Sequence, residues 1–135
     1  MAAAETRRYI MIHCACLVIE ENDKLLLVRV RDNSHYYFAG GKIEPGESPQ
    51  AALHREIHEE LGTAIAADSV QHLMTVDGPA LDSHDTVTLY CFTGRLLDTP
   101  TPMAEITALD WIAIADRHRM APAVQRFCES RYDAA

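Results

Sequence analysis

The sequence is short of most features that would take a chain out of the ordinary water-soluble globular class. No apolar run is long enough to span a bilayer: the first such run, residues 9–19, covers eleven positions and carries His13. The eight residues before it, Met-Ala-Ala-Ala-Glu-Thr-Arg-Arg, contain no apolar core of the signal-peptide kind, which predicts a soluble, cytoplasmic protein with no membrane partner. Cysteine is scarce. Four in 135 residues do not make a disulfide-stapled scaffold, and a chain of this length can bury a core without staples, so Cys14, Cys16, Cys91 and Cys128 are expected to be reduced. Basic residues are in the minority, 12 Lys and Arg against 20 Asp and Glu. The resulting net charge of −8 argues against a broad phosphate-tracking surface, and so against a nucleic acid polymer as partner. Repeats, low-complexity tracts and linker-like composition shifts are also missing, which leaves one domain over residues 1–135 as the expected organisation.

What is present reads as alternating strands and helices. With 48% hydrophobic and 24% charged residues the chain has the composition of a folded domain. Residues 9–19 are apolar at successive positions, as in a strand covered on both faces, and Glu20, Glu21, Asn22 and Asp23 supply turn chemistry. That turn predicts residues 24–31 as the hairpin partner. A helix is expected over Pro49–Leu61, opened by Ser48 as N-cap with Pro49 in the first turn and closed by Gly62. Strands are expected at 70–76 and 86–96, separated by a polar loop containing Asp77-Gly78-Pro79 and Asp82-Ser83-His84-Asp85, with a short strand at 108–112. Pro122 opens a last helix whose Val124, Phe127 and Cys128 share an apolar face. Strands interleaved with two helices predict an α/β fold, a mixed β-sheet with helices packed on it.

The chemistry concentrates in the first helix. At about 100° per residue Glu56, Glu59 and Glu60 fall within an arc of about 100°. Like charges at these spacings weaken a bare helix by a few tenths of a kcal/mol per pair, and a divalent cation reverses that sign. Hard carboxylate oxygens at this reach suit Mg²⁺ or Mn²⁺, although a solvated acidic face would show the same pattern. His54 and His58 lie four apart on the same helix. Arg55 stands where a zinc-protease pattern needs Glu, so the pair is expected to serve packing or solvent contact. His13, on an apolar strand, is expected to be a satisfied core histidine.

The loop before the helix changes the weight of the cation reading. Gly40-Gly41-Lys42-Ile43-Glu44-Pro45-Gly46-Glu47 runs directly into the acidic helix. Gly41, Glu47, Arg55-Glu56-Ile57-x-Glu59-Glu60 and Gly62 together resemble the Nudix box, residues 41–63, which is the signature of the Nudix hydrolases. The seven of these positions that demand a single residue type, all but Ile57, arise together by chance in such a chain with a probability on the order of 10⁻⁷. Thr63 departs from the aliphatic residue that usually ends the box, and Ala39 from the proline often found before the paired glycines.

The resemblance implies the family's α/β/α sandwich, with helices on both faces of the sheet. It also implies Glu56, Glu59 and Glu60 as ligands of Mg²⁺ or Mn²⁺, joined by the Gly40 carbonyl, with Glu47 and Arg55 as supports. Glu56 and Glu105, the latter six residues before Trp111, are the candidates for the base that activates water. The implied activity is hydrolysis of nucleoside diphosphate derivatives. The short chain and the Phe38-Ala39-Gly40-Gly41-Lys42 stretch resemble MutT-like members that take (deoxy)nucleoside triphosphates to monophosphate and pyrophosphate. Pro79, sixteen residues beyond the box, is instead similar to a placement in ADP-ribose pyrophosphatases, and a non-hydrolytic nucleotide-sensing module is a further alternative. Arg29 and Arg31, alternating onto one strand face, and Lys42 are candidate phosphate contacts, and Phe38 is a candidate base-stacking residue. Oligomers are common in the family, which leaves a homodimer among the possible partners.

Overall fold

The computed structural model describes residues 10–80 and 84–133. Tyr9, Asp82 and Ser83, which entered the expectations above, lie outside them. The elements run β1 (Met11–Val18), β2 (Glu20–Glu21), β3 (Lys24–Val30), β4 (Tyr36–Tyr37), β5 (Ala39–Lys42), α1 (Pro49–Leu61), β6 (Gln71–Pro79), β7 (Thr86–Thr93), β8 (Ile106–Ala113) and α2 (Pro122–Tyr132).

The described residues form two sheets. One has the order β5-β1-β7-β6, with β1 parallel to β7 and antiparallel to β5; the other joins β3 to β2, β4 and β8. The helices lie on opposite faces of the first sheet, and β1 shows why. Ala15 and Leu17 pack with Leu53, Ile57 and Leu61 of α1, whereas Cys16 and Val18 pack with Val124, Phe127 and Cys128 of α2. Alternate side chains of one buried strand therefore serve two helices, which is the physical basis of its unbroken apolar run. The arrangement is the expected α/β/α sandwich on a mixed sheet.

The structure differs from the sequence reading at several places; Glu20–Glu21, Tyr36–Tyr37 and Ala39–Lys42 form strands it did not expect, the last in the stretch expected as loop. Residues 24–30 do form a strand, but its hairpin partner is β2, with Glu20 opposite Leu25 and Glu21 opposite Lys24. Asn22 and Asp23, with φ of 53° and 62°, make the two-residue turn, and both edges of β1 are taken by β5 and β7. Asp77, Gly78 and Pro79 belong to β6 rather than to a loop, opposite Thr88, Val87 and Thr86; Pro79 is tolerated because it ends an edge strand. His13 is exposed, and its Nδ1 lies 3.1 Å from the Tyr90 hydroxyl, so it is partnered but not in the core. The expected strand at 86–96 stops at Thr93, and that at 108–112 extends to Ile106–Ala113.

α1 has the expected bounds. Ser48 Oγ accepts from the Ala51 N–H at 3.1 Å, and Gly62 closes the helix at φ 65° with its N–H on the His58 carbonyl. Thr63, the departure from the box, is buried, and its Oγ1 accepts from the Asp98 N–H.

Candidate active site

The site is assembled where β5 meets α1. Gly40 adopts φ 144°, and a Cβ there would stand 2.1 Å from the Ala15 carbonyl oxygen, so only glycine lets β5 lie against β1 at this point. A Cβ on Gly41 would fall 2.5 Å from the Glu56 carboxyl carbon. The two glycines thus keep open the floor on which the helix carboxylates rest.

Arg55 organises the loop. Its Nε and Nη2 donate to the two carboxylate oxygens of Glu47, each at 2.8 Å, its Nη1 donates to Glu56 Oε1 at 2.7 Å, and Nη2 also reaches the Lys42 carbonyl at 3.1 Å. One guanidinium therefore ties the loop to the helix and fixes the Glu56 carboxylate. The same bidentate pairing holds the Glu47 carboxyl at about 2. Arg55 itself is raised above its ordinary value by Glu47 first and Glu56 second.

Glu60 is in the opposite position. Its Oε1 accepts from the Gly40 N–H at 2.9 Å, but burial pushes its carboxyl up to about 7, with Glu56, Glu59 and Glu105 adding repulsion. Glu105 comes near because its segment is tied to the end of α1: the Met103 N–H donates to the Glu60 carbonyl and the Thr101 N–H to that of Leu61. These bonds also satisfy helix-end carbonyls, a role with no signal in the sequence. Glu105 itself pairs with Arg31.

The helix brings Glu56, Glu59 and Glu60 to one face, but their carboxylates do not converge. Glu56 turns to Arg55, Glu60 to Gly40, and Glu59 is mostly exposed. Among the described residues no group of three or more His, Cys, Asp or Glu side chains is gathered tightly enough to hold a metal ion. The donor chemistry nevertheless fits a divalent cation. All are hard oxygens, and Glu60 is a half-buried acid short of positive charge.

The candidate phosphate contacts are placed apart. Arg29 Nε donates to the Asn33 carbonyl at 2.7 Å. Arg31 does not share a strand face with it, because the register shifts after Arg29 and Arg31 sits beyond β3 at φ 52°. Lys42 is exposed at the end of β5. Phe38 is buried edge-to-face against Phe127, centroids 5.0 Å apart, and also borders a cavity.

That cavity, of about 230 Å³, was not legible in the sequence. Glu60, Gly40 and Gly41 border it together with apolar residues of β1, β3, β7 and the start of α2, including Val87, Leu89 and Val124. Eight separate elements contribute, β1, β3, β4, β5, β6, β7, α1 and α2, so no local spacing announces it.

An α/β/α sandwich with an acidic helix entered through a glycine loop is the arrangement that the resemblance to the Nudix hydrolases implies. A family model for the Nudix domain matches residues 11–128, and the chain belongs to that family. Among its relatives, the CTP pyrophosphohydrolase of Escherichia coli (strain K12) is 36% identical over 80 residues, 55% of this chain and 59% of that protein. The nucleoside triphosphatase NudI of Enterobacter sp. (strain 638) is 34% identical over 61 residues, 42% and 43% respectively. The chain thus spans roughly half the length of these curated relatives. The crystal structure of a MutT Nudix hydrolase from Burkholderia pseudomallei superposes with a TM-score of 0.72 at 21% identity, covering 91% of this chain and 98% of that one; it shows the shared fold. Among the described residues no helix is long and apolar enough to cross a membrane.

Proposed function

We propose that the chain is a single-domain Nudix pyrophosphohydrolase that hydrolyses (deoxy)nucleoside triphosphates to monophosphate and pyrophosphate with the help of Mg²⁺ or Mn²⁺. The observation that carries this reading is one cavity with Glu60, Gly40 and Gly41 on its border and apolar walls beyond. Its two chemistries suit a ligand with an anionic chain on a ring. Two relatives named for nucleotide hydrolysis, a CTP pyrophosphohydrolase and a nucleoside triphosphatase, support the substrate class.

Glu56, Glu59 and Glu60, with the Gly40 carbonyl, would hold the cation. When bound it would lower the pKa of a water and neutralise charge developing on the phosphate chain. The chain's own residues do the rest. Arg55 fixes Glu56 and, through Glu47, the loop. Glu56 or Glu105 would take the proton of the attacking water; Glu56 is paired with Arg55 and Glu105 with Arg31. Lys42, exposed beside the glycines, is free to meet a phosphate oxygen.

A second reading rests on Pro79, which borders the cavity and matches the placement noted for ADP-ribose pyrophosphatases. Hydrolysis of a triphosphate panel and of ADP-ribose in ¹⁸O-labelled water separates the two. The expected products are monophosphate and pyrophosphate, with label entering one of them from a single in-line attack. Orthophosphate and nucleoside diphosphate as primary products would reject the proposal. ADP-ribose cleavage without triphosphate turnover would establish the second reading, and no turnover of any compound would leave a nucleotide-binding module.

A further inference from the structure

The cavity wall is poor in hydrogen-bonding side chains. Among the described residues that border it, side-chain polar atoms belong only to Glu60, Tyr37, Cys14 and Cys16. Glu60 accepts from Gly40 and is the proposed cation ligand, Tyr37 supplies a single hydroxyl, and the Cys16 sulfur lies 3.6 Å from that of Cys91. Cys14 remains a neutral thiol, pushed up to about 11 chiefly by burial, and a thiol is a weak donor. The rest of the described wall is aliphatic, aromatic or proline: Val28 and Val30 of β3, Val87 and Leu89 of β7, Val124 of α2.

We propose that this cavity recognises a nucleobase by shape and apolar contact rather than through side-chain hydrogen bonds, with Val28, Val30, Val87, Leu89 and Val124 setting what fits. The inference rests on the nucleotide reading above and concerns its selectivity. A site that hydrogen-bonds its substrate rejects an analogue lacking those groups by about 10⁴ to 10⁵, because its own buried polar groups are left unpaired; an apolar pocket discriminates by about 10² at most. A base edge buried here without partners would be left unsatisfied, so the ring enters with its polar edge toward the mouth. Bases with different edge patterns are then handled alike.

The test uses a thymine shape mimic with no hydrogen-bonding edge, 2,4-difluorotoluene deoxyribonucleoside triphosphate, against dTTP. Calorimetric binding of both is measured alongside hydrolysis. The expected result is kcat/KM for the mimic within 100-fold of that for dTTP and comparable binding of the two. Loss of more than 100-fold in kcat/KM or in affinity overturns the inference. Equal binding with no hydrolysis of either compound keeps it and removes only the pyrophosphohydrolase reading. Val87→Phe, which projects a ring into the cavity from a half-buried position, should weaken both ligands by the same factor. Unchanged binding of both would place the base elsewhere and overturn the inference.

Discussion

At the scale of the residue, two glutamates in one site are driven in opposite directions, and the difference is measurable. Glu47 is held at about 2 by Arg55, so its contribution to stability is present above the ordinary carboxylate range and is lost as pH falls through about 2. Glu60, raised to about 7 by burial, binds a proton in the folded state that the unfolded chain has already released. Its effect has the other sign: between about 4.5 and 7 the folded state loses stability as pH rises. In the presence of a chelator, the unfolding midpoint of the parent should therefore fall relative to that of Glu60→Gln as pH increases through this window. A difference independent of pH would show that Glu60 titrates as an ordinary exposed acid. Nothing in the sequence distinguishes Glu60 from Glu56 or Glu59 in this respect. The repeat of glutamates shows a shared helix face, but burial of one of them comes from β5 crossing beneath it and from the segment before β8 closing over the end of α1.

At the scale of the element, α1 was legible to the residue because its signals are local. Ser48, Pro49 and Gly62 bound the helix through bonds made within a few positions, and its buried face, Ala52, Leu53, Ile57 and Leu61, recurs at helical spacing. Ser48→Ala removes the acceptor of the Ala51 N–H and should lower the free energy of unfolding by about 1 kcal/mol in denaturant titration; no loss would mean that the helix start is held by other contacts. β1, β3, β6, β7 and β8 were legible as strands but not as partners, and β2, β4 and β5 were not legible as strands at all. β1 pairs in parallel with β7 some seventy-five positions later, and β3 with β8 about eighty positions later, pairings that an alternating apolar pattern does not encode. The same limit hid Arg31, whose position depends on a register shift, and the edge strand that takes in Pro79.

At the scale of the whole molecule, the net charge of −8 and the proposed polyanionic substrate are reconciled only by a cation between them. The box residues were readable as a cluster, whereas the cavity beside them exists only once two sheets and the start of α2 are brought together. The central claim, that α1 presents its carboxylates to a divalent cation, has a direct test. A ligand that binds only the folded state raises the unfolding midpoint by mass action. Millimolar Mg²⁺ or Mn²⁺ should raise the midpoint of the parent and do so much less in Glu56→Gln/Glu60→Gln, while an equal rise in both proteins would place the cation elsewhere and contradict the account.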